Sequence, residues 1–253
     1  MAEKVQYRKH PENYGEIYLN RPDKHNAIDE MMVKELNAVL QQAKQDAIKF
    51  LVITGAGDKM FCSGGDLTQL HGGLTSEEAF AYLYPMKEVL HEIISFPVPT
   101  ICLLNGGALG GGCEIATACD IRIAKENTRF GFVQSQLGII PGWGGGALLY
   151  EKVNPSFALQ WLIEAEVFQA QYLLERGWLH KIVESATWEN RHALLNPYIS
   201  KSYSQMLLLK GQFKLKLSSL GLSALMNEEV RNCANLWDSV EHKKAVEKFL
   251  SRK

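Results

Sequence analysis

The chain has 253 residues, 46% of them hydrophobic and 22% charged, with a net charge of −1 at pH 7. That length supports one large domain with an ample core, and a charge so close to zero gives no global attraction to nucleic acid or to a membrane surface. No apolar run reaches the length of a membrane span, and the N-terminal MAEKVQYRKHPENYG has neither a signal peptide's apolar core nor a transit peptide's Arg/Ser-rich pattern.

In chain order, GEIYLN (15–20) alternates apolar and polar residues like a half-buried strand. RPDKHNAID is a turn-rich connection ending at Asp29, a natural N-cap, and the helix predicted after it places Met32, Leu36, Val39, Leu40 and Ala43 on one face. FLVIT (50–54) is a continuous apolar strand, as expected in a sheet covered on both sides. GAGDKMFCSGGDL reads as a loop. A capping box, Thr75 to Glu78, opens a long helix in which Pro85 predicts a kink. TICLLN and DIRIA read as further strands. Pro155 suits a first helical turn, Gly177 a helix stop, and the residues beyond HKIV read as successive amphipathic helices. A mixed α/β core over residues 1–195 with a helical C-terminal region over 196–253, joined without a linker, is the expected organisation.

The five cysteines are odd in number and lack metal spacing, so buried free thiols in a reducing cytoplasm are expected. The seven histidines form no HExxH and no close pair, which points away from a metal site. GWGGGA (142–147) matches a dinucleotide glycine pattern, but Pro141 precedes it and no strand closes a βαβ unit afterwards. The Walker lysine is absent, and Ser63 of FCSGGD stands in the wrong frame for a nucleophile elbow.

What remains is a pair of glycine-rich turns, FCSGGDL after one strand and GALGGGCE after the next. Successive strand ends of such a sheet open on the same edge, where ligands usually sit. One N–H from each turn could meet on a single oxygen, which would stabilise an enolate-like anion by roughly 3 kcal/mol per donor. Glu114, in the first turn of a helix beginning near Gly111, would stand beside it as acid or base. Residue patterns alone leave a second reading open: the glycines allow close helix–sheet packing and Glu114 complements the helix N-terminus.

RPDKHNAI, MFCSGGDL, NGGALGGGCEIATACDIRIA and LGIIPGWGG, in that order and spacing, resemble the enoyl-CoA hydratase/isomerase (crotonase) superfamily. The resemblance runs from about Gly15 into the C-terminal helices. It implies a crotonase-like α/β spiral of ββα units, a helical C-terminal trimerisation region, and assembly as a homotrimer or dimer of trimers. It also implies a coenzyme A thioester as substrate rather than cofactor, with no metal, nucleic-acid or membrane partner.

By matching motif positions, the oxyanion donors would be Gly65 and Gly111, and Glu114 would be the first catalytic glutamate. Lys24, Asn26 and Ala27 match the segment that meets the adenine end of CoA, Lys24 reading equally as a phosphate contact or a solvated turn lysine, and Gly64, Asp66, Leu67 and Trp143 complete the implied binding set. Trp143 stands where many hydratases carry a small residue, which implies a reshaped acyl pocket. Asp66 and Asp120 are also expected to hold loop and helix ends, without a chemical role.

One departure matters most: Gln134 occupies the position of the second catalytic glutamate. An amide cannot exchange a proton at neutral pH as a carboxyl can, although it can orient water or a substrate carboxylate by hydrogen bonding. The implied activity is an enoyl-CoA hydratase-type lyase with Glu114 as acid/base. Two alternatives stay open: a decarboxylase of a methylmalonyl- or ethylmalonyl-type CoA, whose branch the glycine motifs also resemble, and a catalytically silent CoA-binding scaffold.

Overall fold

The computed structural model describes residues 3–67, 73–218 and 221–251. In chain order the elements are β1 (Val5–Lys9), β2 (Gly15–Leu19), α1 (Glu30–Gln45), β3 (Leu51–Gly55), β4 (Met60–Cys62), α2 (Ser76–Ile94), β5 (Thr100–Leu104), β6 (Gly107–Leu109) and α3 (Gly111–Ala118). They continue with β7 (Ile121–Lys125), β8 (Arg129–Gly131), α4 (Gly145–Lys152), α5 (Pro155–Glu164), β9 (Phe168–Gln169), α6 (Ala170–Glu175) and β10 (Lys181–Val183). Five helices follow: α7 (Ser185–Trp188), α8 (Arg191–Ile199), α9 (Tyr203–Ser218), α10 (Leu222–Trp237) and α11 (Val240–Leu250).

A six-stranded sheet has the order β1-β2-β3-β5-β7-β10, and a second sheet has the order β4-β6-β8-β9. Among the described residues only β1 with β2 and β8 with β9 pair antiparallel; the other ladders are parallel. The chain therefore places one strand in the large sheet, a short one in the small sheet, and then a helix: β3-β4-α2, followed by β5-β6-α3. This is the expected spiral of ββα units. The central strands β3 and β5 are buried along their whole length, which is why they read as unbroken apolar runs.

Local signals act as the residues suggest. The Asp29 carboxylate accepts from the Met32 N–H at 2.9 Å, capping α1, whose Met32, Leu36, Leu40 and Ala43 are buried while Val39 packs half-buried beside them. The Thr75–Glu78 capping box opens α2, which continues through Pro85 as one helix. Asn154 caps α5 with Pro155 in its first turn, and Gly177, at φ +78°, follows α6.

The segment read as a loop, GAGDKMFCSGGDL, instead contains β4, and NGGAL contains β6. Each is three residues long and pairs with its neighbour in the small sheet, too short to leave a periodic pattern. The expected division at 195/196 falls within α8. All five cysteines are buried free thiols. Among the described residues no helix is long and apolar enough to cross a membrane.

Candidate active site

The turn after β4 is shaped by Gly64, whose φ of +97° is open to glycine and costly for other residues. Its carbonyl accepts from Ile28 N–H, and Asp66 N–H donates to the Ile28 carbonyl, both at 2.8 Å. Gly65 lies between these bonds, and among the described residues its N–H has no acceptor. The turn after β6 is shaped by Gly110, at φ +52°, whose N–H donates to Gly131 O at 2.8 Å. Gly111 then opens α3, and among the described residues its N–H also has no acceptor. A Cβ added to Gly64 would lie 3.1 Å from the Gly111 nitrogen, so the two turns touch. The two glycine turns, expected to offer one N–H each in one place, lie against each other with those two amides lacking an acceptor among the described residues.

Glu114 is 2% exposed and heavily bonded. One carboxylate oxygen accepts from Trp143 N–H and Gly145 N–H, each at 2.9 Å. The other accepts from the Gln134 Nε2 at 2.9 Å and from Gly142 N–H at 3.4 Å. Burial raises its pKa above the usual carboxylate range, while the backbone and amide hydrogen bonds pull the other way. A carboxyl raised in this manner is better matched to proton transfer near neutrality than an ordinary surface glutamate.

Gln134 opens a short 3-10 turn, Gln134–Leu137, closed by Gly138 in the left-handed region. His242 of α11 locks that turn by donating from Nδ1 to the Leu137 carbonyl at 2.7 Å. With its Nε2 on Glu114, Gln134 leaves a buried Oε1 that has no partner among the described residues. Its amide also flanks the glycine turn, 3.8 Å from where a Cβ on Gly110 would lie. A buried acceptor left unpaired costs free energy unless something donates to it, and a water or substrate hydroxyl would do so. The Trp143 ring covers Gly111 so closely that an added Cβ would stand 2.0 Å from a ring carbon. Bare backbone at Gly111 is therefore required by the indole as well as by any ligand.

Other residues of the expected binding set fall differently. Lys24 is exposed at the end of a 3-10 turn, and its carbonyl accepts from Ala27 N–H at 3.0 Å. Ala27 is buried, with its carbonyl accepting from Arg21. Asn26, in the same segment, turns its side chain inward. It is fully enclosed, accepts from Arg21 N–H, and donates to the Ala56 and Met60 carbonyls, so its amide braces the loop. Asp66 likewise holds Arg21 at 2.6 Å, which matches its expected structural part and turns its carboxylate toward the loop. Leu67 is half-buried against the core. Asp120 is structural as expected, accepting from Thr100 N–H and Oγ1 and from Lys210.

One acidic residue was missed. Glu229 on α10 reaches the start of α4, where it accepts from Gly146 N–H at 3.2 Å and from Ala147 N–H at 2.5 Å. Burial and the nearby Glu114 charge push its carboxyl well above the usual range. The available signal was its register: Glu229 shares a helix face with the buried Met226, Val230 and Cys233.

Among the described residues no group of three or more His, Cys, Asp or Glu side chains is arranged to hold a metal ion. A family profile described as enoyl-CoA hydratase/isomerase matches residues 9–253. A crotonyl-CoA hydratase of Syntrophomonas wolfei is 34% identical over 220 residues, covering 87% of this chain and 81% of that protein. An ethylmalonyl-CoA decarboxylase of Xenopus laevis is 33% identical over 200 residues, covering 77% of this chain and 66% of that one. The crystal structure of an enoyl-CoA hydratase from Bacillus halodurans superposes with a TM-score of 0.88 at 23% identity, over 97% of this chain and all of the other, and shares its fold.

Proposed function

The chain belongs to the enoyl-CoA hydratase/isomerase family, and we propose that it hydrates a short enoyl-CoA thioester with Glu114 as its one proton-handling group. The observation that carries this reading is the buried Glu114 carboxylate, bonded to Gln134 and standing beside two glycine turns whose Gly65 and Gly111 amides have no acceptor among the described residues.

In this mechanism the thioester oxygen accepts from the Gly65 and Gly111 N–H groups. Water sits between Glu114 and the Gln134 Oε1, donating one hydrogen bond to each. As its oxygen bonds to C3, the C2–C3 π electrons shift toward the thioester, giving an enolate on the held oxygen. Glu114 takes the water proton and returns it to C2 as the enolate collapses. The product gains one hydroxyl at C3 and one hydrogen at C2. Gln134 orients the water but exchanges no proton, so one carboxyl performs both transfers.

A second reading is supported by Gln134 and by the decarboxylase relative. Loss of carbon dioxide from a malonyl-type thioester leaves its bonding electrons in the same enolate, so one donor, a protonated Glu114, completes the reaction. Assembly as a trimer or dimer of trimers belongs to the same proposal and is supported by the exposed Leu208, Leu209 and Leu215 of α9. Residence in a reducing cytoplasm is supported by the five free thiols. The test is a panel of crotonyl-CoA, a β,γ-enoyl-CoA, methylmalonyl-CoA and ethylmalonyl-CoA, with products followed by mass spectrometry. Addition of 18 mass units to crotonyl-CoA is expected, whereas carbon dioxide loss alone would favour the second reading and binding without turnover a silent scaffold.

A further inference from the structure

The start of α4 is divided between two carboxylates. Amides of Gly142, Trp143 and Gly145 go to Glu114, and those of Gly146 and Ala147 go to Glu229, which the Gly144 amide also approaches. We propose that Glu229 is a positioning residue for Glu114: it clamps the first turn of α4 so that the preceding amides stay on the Glu114 carboxylate.

The packing leaves the turn little freedom. A Cβ on Gly145 would lie 2.4 Å from the Glu114 side chain, and one on Gly146 would lie 2.7 Å from a Glu229 carboxylate oxygen. The N-cap, Gly144, sits at φ +88°, and a Cβ there would lie 2.5 Å from the Met226 side chain, so no local side chain can serve these amides. The chain instead brings a carboxylate 82 or 83 residues along the sequence to the same peptide groups. It also accepts repulsion with Glu114, and among the described residues no lysine or arginine forms an ion pair with Glu229. The other titratable groups it faces are Cys233 on its own helix and Tyr150 on α4. An arrangement that opposes local stability and holds a reactive group is characteristic of a functional site.

The inference rests on the hydratase reading only where turnover is measured, so two readouts are needed. Glu229→Leu removes both acceptors, and Glu229→Gln keeps the volume and one acceptor oxygen. With crotonyl-CoA, kcat is expected to fall about a hundredfold in the first and about tenfold in the second, with KM within about twofold of wild type. Amide hydrogen exchange needs no substrate: Trp143 and Gly145 are expected to exchange about tenfold faster in either folded variant, with β3 and β5 unchanged. If Glu229→Leu fails to fold, Glu229→Gln decides. Unchanged exchange at Trp143 and Gly145 overturns the clamp whatever reaction the protein catalyses. Unchanged kcat in a wild-type-active panel overturns it as well. A wild-type protein that does not hydrate crotonyl-CoA overturns the hydratase reading and leaves the exchange measurement to judge Glu229.

Discussion

Replacing Gln134 by glutamate probes the site at its departure from the two-carboxylate pattern. The Nε2 donor 2.9 Å from Glu114 becomes a second carboxyl, beside a group whose pKa burial already raises. Two ionised carboxylates at that separation repel strongly, so the folded pair retains a proton that the unfolded chain releases. Loss of a hydrogen bond to a charged group costs about 1.5–3 kcal/mol, and that is the destabilisation expected once both groups are forced to ionise. The direction with pH follows from linkage. A carboxyl pair raised in the folded state keeps its stability below the ordinary carboxylate range and loses it as pH rises through the raised values. Urea denaturation of wild type and Gln134→Glu should therefore give curves that lie closer at pH 5 than at pH 8. At the same time the shared proton restores a second acid/base, so hydration of crotonyl-CoA should rise. A variant as stable as wild type across that range would refute the assigned hydrogen bond, and no gain in hydration would show that the pocket itself has diverged.

Gly111→Ala should destabilise by about 1–3 kcal/mol and lower kcat by about a hundredfold, because the new methyl collides with the Trp143 ring and displaces an amide from Glu114. Urea melts and steady-state rates check it, and a fully active alanine variant would contradict the packing. Lys210→Met removes both Lys210 bonds to Asp120, at 2.7 and 2.6 Å, and should cost about 3 kcal/mol. Its effect should appear in denaturation alone, with kcat of the folded protein unchanged; a specific loss of turnover would give Asp120 the chemical role denied to it above.

The residues that announced themselves in the sequence are those whose reason is local. Asp29 and Thr75 cap the helices they precede, and the burial of β3 and β5 on both faces is written in FLVIT and TICLLN. The glycine turns were legible because bare backbone beside one acid requires an explanation. The short strands β4 and β6 were not, since three residues carry no periodicity and their pairing comes from the second sheet. Asn26 could be read by its motif but not by its burial, and its amide braces the loop from within. Glu229 looked like any acid on an amphipathic helix, because the amides it holds lie far upstream and only the packing of α10 against α4 brings them together.

The most direct test of the mechanism is Glu114→Gln, assayed with crotonyl-CoA in deuterated water. The variant keeps the side chain's size and removes the only carboxyl assigned to the proton transfers. Wild type should form 3-hydroxybutyryl-CoA carrying one solvent deuterium at C2, and the variant should lose about 10²- to 10⁴-fold of that rate while still binding the thioester. An unchanged rate in Glu114→Gln would contradict the account at its centre.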